Sequence, residues 1–144
     1  MLNSAYMNMK EITNIFKALS DSKRVRIVRI LMQAGLELCV CEIVDCLQES
    51  QYNVSKQLKE LKNAGVVKER KDGRWVFYSL AEPENEFHGT IIQALYNIKD
   101  ETLSMDQKRL KERLSLRENG KCVIGIKSKE WESVASRLLL QKGN

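Results

Sequence analysis

The chain has 144 residues, 30% of them charged, with a net charge of +5, a single proline, one histidine and four cysteines. That length supports one buried core, and with no repeat or low-complexity segment it excludes solenoid and disordered classes. No apolar run approaches a membrane span, and the opening MLNSAYMNMK has neither the basic start nor the apolar stretch of a secretory signal. A cytoplasmic protein with a polyanionic partner is expected. In a reducing compartment its cysteines are buried small hydrophobes, redox thiols or soft-metal ligands rather than a disulfide framework.

An amphipathic helix is predicted over residues 9–19. The next is better marked: Asp21 or Ser22 caps it, Ile27, Ile30, Leu31 and Ala34 keep helical spacing, and Gly35 ends it. Residues 37–47, ELCVCEIVDCL, continue the helical spacing with Val40, Ile43, Val44 and Leu47, and hold Cys39, Cys41 and Cys46. In ESQYNVSKQLKELKNAGVV, Ser50 is the cap of a further helix, Val54, Leu58 and Leu61 its core stripe, and Gly65 its stop. Two short helices therefore meet at a tight junction around Glu49 and Ser50.

After Gly65 the period changes. VVKERKDGRWVFYSL is β-branched and aromatic on both sides of Asp72-Gly73, a dipeptide that tight hairpin turns favour. Beyond Pro83, Phe87, Ile91, Leu95 and Ile98 mark another helix, which Ile92 and Tyr96 make wider in apolar surface than one packing face needs, as in a dimer interface. A charged helix over 104–117 continues the narrow stripe of Leu103, Leu110 and Leu114. ENGKCVIG then breaks the pattern, and Trp131, Val134, Ala135 and Leu138 mark a last amphipathic helix.

Helix, tight turn, helix and hairpin in that order describe a winged helix-turn-helix, a mainly α fold with a small β-hairpin, here with extra C-terminal helices. Between positions 51 and 80, seven basic side chains face three acidic ones, so most of the excess charge lies there. Winding the second helix at 100° per residue turns Val54, Leu58 and Leu61 inward and Tyr52, Lys56, Lys59 and Asn63 outward. Tyr52, Asn53, Ser55 and Lys56, near its start, suit base edges and adjacent phosphates, while Lys59 and the wing's Arg74 suit backbone phosphate. A solvated basic face accounts for any one of these residues, but not for three independent features coinciding.

The sequence resembles the ArsR/SmtB family of metal-responsive winged-helix repressors. FKALSDSKRVRIVRIL at 16–31 and SQYNVSKQLKELKNAGVVKERKDGRWVFYSL at 50–80 resemble the family at large, and ELCVCEI at 37–43 is similar to the inducer site of its arsenic- and antimony-responsive branch. The resemblance implies a homodimer that binds double-stranded operator DNA without a cofactor and leaves it on capturing As(III) or Sb(III). It divides the chain into a DNA-binding and dimerisation domain at 1–99 and a C-terminal helical extension at 100–144 carrying Cys122. Val44 stands where the arsenic-type motif commonly has a third cysteine. Lys56-Gln57-Leu58 replaces the Arg-His-Leu often seen in the reading helix, so Gln57 joins the residues expected at the operator and alters the sequence read. Paired histidines of the zinc branch are missing, and the lone His88 is read as a satisfied interface residue. No cysteine precedes Cys39, as it would in the cadmium- and lead-sensing branch.

Trivalent arsenic and antimony are thiophilic and favour three thiolates in a pyramid. Cys39 and Cys41 are the first two expected ligands, yet in a regular helix they lie about 200° apart, so the first turn must unwind for them to share one atom. Cys46 lies roughly 10 Å further along the axis and is expected to pack as a small hydrophobe. Cys122 is the expected third ligand, from the same or the partner subunit; the alternatives are Cys46 as that ligand and Cys122 as a buried residue of a docking segment. Drawing the thiols together would distort the first helix of the helix-turn-helix and release an inverted-repeat operator with half-sites about one turn apart. Other thiophilic metals (Cd or Pb), oxidants or sulfur species are alternative inducers on the same fold. Cys-x-Cys without alternating strands argues against a thiol oxidoreductase, and no catalytic residue is expected.

Overall fold

The computed structural model describes residues 7–142. Helix α1 (Met9–Ala18) starts at Asn8, whose side chain accepts the Glu11 N–H, and α2 (Ser22–Ala34) starts at Asp21, whose carboxylate accepts the N–H groups of Lys23 and Arg24. A two-residue strand, β1 (Leu38–Cys39), runs directly into α3 (Val40–Leu47), and Ser50 caps α4 (Gln51–Asn63). Helices α3 and α4 form the expected helix-turn-helix. Their inner faces and that of α2 close one apolar core, in which Ile27, Ile30, Ile43, Leu58 and Leu61 are fully buried.

Strands β2 (Val67–Asp72) and β3 (Trp75–Leu80) form the wing, joined through Gly73 and Arg74 rather than through the expected Asp72-Gly73 pair. Gly73 alone of the two has positive φ (+61°), the requirement at the first central position of a type II′ turn. The sheet has a third strand: β1 pairs antiparallel with β3, Leu38 opposite Tyr78 and Cys39 opposite Phe77, giving the order β1-β3-β2. Two residues with no alternating pattern around them carry no strand signal; tertiary pairing makes them one.

Helix α5 (Glu86–Tyr96) meets α1 through an edge-to-face contact of Phe16 and Phe87, centroids 5.5 Å apart. Met9, Phe16 and Tyr96 stay exposed on these helices. Helix α6 (Glu101–Leu114) begins three residues before the expected start because Asp100 caps it by accepting the Leu103 N–H. It packs on α2 and α3, with Leu110 in the main core. Residues 115–128 form a strap leading to α7 (Lys129–Lys142), whose Trp131, Val134 and Ala135 make a small separate cluster with Leu116 and Ile124. No described helix is long and apolar enough to cross a membrane.

Candidate metal centre

The Sγ atoms of Cys39, Cys41 and Cys122 lie within 4.8 Å of one another. Cys122 Sγ is 3.0 Å from Cys39 Sγ and 3.4 Å from Cys41 Sγ. No unwinding is needed to bring them there, which corrects the expectation from a regular helix. Cys39 precedes α3 as its N-cap, with extended backbone (φ −79°, ψ 159°) fixed by pairing with β3, and only Cys41 belongs to the helix. The Cys39 N–H is satisfied by Glu42 Oε1 at 3.0 Å. Cys46 is fully buried in the main core, outside this cluster.

Cys122 is brought over from the strap by charged groups. Glu118 and Lys121 exchange backbone hydrogen bonds of 2.9 and 3.0 Å around Asn119 and Gly120, both at positive φ, so ENGK is a tight turn of the type that Asn-Gly favours. Before this turn, Arg117 grips Glu42 with both arms (2.6 and 2.7 Å) and donates to the Glu37 carbonyl at 2.8 Å. The stretch beyond it is held by the fully buried Arg113 of α6, which donates to Asp45 Oδ2 at 2.8 Å and to the Ile124 carbonyl at 3.1 Å. Asp45 Oδ1 accepts the Lys127 N–H at 3.0 Å. Lower on the same seam, Asp106 pairs with Arg26 and Arg109, and those two arginines satisfy the α3 carbonyls of Leu47 and Cys46.

The sulfurs share protons unequally. Hydrogen bonds from Cys39 and Cys41, with Arg113 nearby, hold the Cys122 thiol well below its ordinary value. The same bonds to Cys122 push Cys39 up and Cys41 up to about 12. One thiolate flanked by two thiols is the result. Burial, with the nearby Glu42 and Asp45 carboxylates, pushes Cys46 up.

The thiols adjoin α4 and the wing. A cleft of about 360 Å³ beside them is lined by Cys39, Cys41, Ser55, Arg74, Trp75 and Ile126. Tyr52, Ser55, Lys56, Lys59 and Arg74 are exposed on α4 and the wing tip, and the half-buried Asn53 gives its N–H to the Ser50 cap. Gln57 departs from that set: it is 9% exposed, and its Oε1 accepts from Arg24 Nη1 at 2.6 Å. It sits one turn from Val54 and Leu61 on the inward side, where it braces α4 against α2. His88 is buried, its Nδ1 accepting the Glu84 N–H. Sequence reasoning missed Asp45, Arg113 and the ion pairs of Glu42 and Arg117. Acids in so apolar a helix as VCEIVDCL were the available signal, since such groups are buried only with partners.

A family model described as "Bacterial regulatory protein, arsR family" matches residues 21–69. The chain is 34% identical over 108 residues to the arsenic resistance transcriptional regulator ArsR1 of Pseudomonas putida, covering 73% of this chain and 84% of that one. It is 43% identical over 76 residues to a cadmium resistance transcriptional regulatory protein CadC homolog of Staphylococcus aureus, covering 53% of this chain and 62% of the relative. Among solved structures, HlyU from Vibrio cholerae superposes with a TM-score of 0.54 at 29% identity, over 64% of this chain and 95% of its own.

Proposed function

We propose, from the premise that the chain belongs to the ArsR family of bacterial transcriptional regulators, that it is a repressor whose inducer is trivalent arsenic or antimony bound by Cys39, Cys41 and Cys122. The observation that carries this is the convergence of three sulfurs, and among the described residues no other metal-ligating side chain, at the root of the helix-turn-helix and wing. Arsenous acid exchanges its three hydroxyls for three sulfurs; each hydroxyl leaves as water with the proton of a thiol or, for the sulfur already ionised, one from solvent, and arsenic keeps its oxidation state. The product is neutral. Around it Arg113 cancels Asp45 and Arg117 cancels Glu42, so a neutral adduct suits the seam.

The connection to DNA runs along two routes. Cys41 rides on α3, which packs against α4, and Cys39 lies in β1, hydrogen-bonded to wing strand β3. Tyr52, Asn53, Ser55 and Lys56 present the reading surface, Lys59 and Arg74 meet phosphate, and Gln57 supports the helix from behind. The open apolar surface of α1 and α5 suits a second copy, and a two-fold dimer reads an inverted repeat. A coupling of roughly 3 kcal/mol between the sites would weaken operator affinity about 150-fold.

Fluorescence anisotropy of DNA from upstream of the gene tests this, with arsenite, antimonite, cadmium, zinc and peroxide titrated in parallel. Release by arsenite or antimonite that Cys39→Ser abolishes is the expected result. Release by cadmium or peroxide with arsenite silent would replace the inducer and keep the fold.

A further inference from the structure

Building on that ligand set, we propose that Glu42 and Asp45 are positioning residues for the third sulfur: from the helix that carries Cys41 they hold both ends of the Cys122 strap, and so favour inducers that take three sulfurs over those that take two. The two acids are three residues apart on one face of α3, and their arginines, Arg113 and Arg117, are four apart on α6 and its C-terminal continuation. Through Arg117, Glu42 fixes the stretch before Cys122; Asp45 fixes the stretch after it, directly at the Lys127 N–H and through Arg113 at the Ile124 carbonyl.

Stability alone does not require this arrangement. Buried ion pairs are often replaceable by apolar pairs of similar volume with no loss of stability, and apolar side chains would seal α6 to α3 equally well. They would not reach the strap. A guanidinium that has paired with a carboxylate still has N–H groups in a fixed fork to offer to backbone carbonyls, and here those groups go to Ile124, Gly120 and Glu37. Lys127 adopts left-handed backbone (φ +52°), a conformation unfavourable for lysine, while its N–H meets Asp45. Without these bonds Cys122 would be held near the Cys39–Cys41 pair only by its chain and by the packing of Ile124 and Ile126, and its effective concentration there would fall toward that of a flexible loop.

The test uses the full chain and two readouts. The first needs no metalloid: the rate at which diamide forms a disulfide between Cys122 and Cys39 or Cys41, followed by mass spectrometry of peptides. The second is the number of sulfurs around arsenic, from X-ray absorption after adding arsenite. Asp45→Ala should slow the cross-link by at least about tenfold and replace one sulfur on arsenic by oxygen, while Asp45→Asn, which keeps an acceptor for Lys127, should fall between it and the wild type. Should Asp45→Ala fail to fold, the pair Asp45→Leu with Arg113→Met decides, with circular dichroism reporting its fold. Wild-type cross-linking and three sulfurs in that pair would overturn the proposal. Slower cross-linking in the variants, with fewer than three sulfurs on arsenic in the wild type, would uphold the positioning and overturn the ligand set.

Discussion

Two regions hold this molecule together by different physics. Beneath the reading helix, Ile27, Ile30, Ile43, Leu58 and Leu61 pack as hydrocarbon; along the seam between α3 and α6, Glu42, Asp45 and Asp106 are buried against arginines. The first gains free energy by removing apolar area from water and is indifferent to small rotations. The second recovers much of its desolvation cost only when donors and acceptors meet in particular geometry. Stability is therefore concentrated in the core and geometry in the seam, and the seam is where the three sulfurs sit.

The seam holds three cysteines and the core one, and the sharpest contrast between the two regions is chemical. Cys122 is half-buried and held below its ordinary pKa by hydrogen bonds from Cys39 and Cys41, while Cys46 is fully buried and pushed up by desolvation. Alkylation by iodoacetamide depends on thiolate and access. At pH 6 Cys122 should be modified orders of magnitude faster than Cys46, as read by mass spectrometry, and labelling of Cys46 should appear only on unfolding. Equal rates would remove the distinction between the regions.

Breaking the seam from one side comes next. Arg113→Ala leaves Asp45 buried with only the Lys127 N–H, and should cost roughly 3–5 kcal/mol in urea denaturation, with the combined apolar pair at 45 and 113 near wild type. Leu58→Ala in the core has no such rescue. Removing its buried side chain should cost about 2–5 kcal/mol and weaken operator binding with it, because Leu58 anchors α4.

The two regions also differ in how far the sequence exposes them. Apolar residues at helical spacing identify α2, α4 and α5, and the change of period at Val66 identifies the wing, because burial of hydrocarbon leaves a periodic trace. In α6 the same reasoning finds Leu103, Leu110 and Leu114 and stops. Asp106, Arg113 and Arg117 continue that stripe at alternating steps of three and four, but charged side chains normally face water, so periodicity assigns them to solvent. Only their pairing with Glu42, Asp45 and Arg26 turns them inward, and pairing across long stretches of chain has no local signature. The backbone of Cys39 is hidden from the sequence for a related reason: its exclusion from α3 follows from pairing with Phe77, far along the chain. Gln57, expected at the operator, has its carboxamide turned to Arg24, whose position likewise no local pattern reveals.

Smaller effects test whether the strap is shaped by its turn as well as by its ion pairs. Gly120 has φ +73° with nothing within 4 Å of the position a Cβ would take, so the penalty of Gly120→Ala is backbone strain alone, about 1 kcal/mol. That strain falls on the turn that delivers Cys122 and leaves the hydrocarbon core untouched. Metalloid affinity should drop while operator affinity stays, measured by calorimetry and anisotropy on one preparation.

The smallest effect on stability is expected at the wing tip. Arg74 is exposed, so Arg74→Ala should change unfolding free energy by less than about 0.5 kcal/mol. A side chain that contacts only phosphate contributes to DNA binding through released counterions, without regard to sequence. Its loss should weaken specific and nonspecific DNA alike and reduce the slope of log K against log salt by about one. A change in operator preference instead, with the slope intact, would make Arg74 a reader of bases and extend sequence recognition from α4 to the wing.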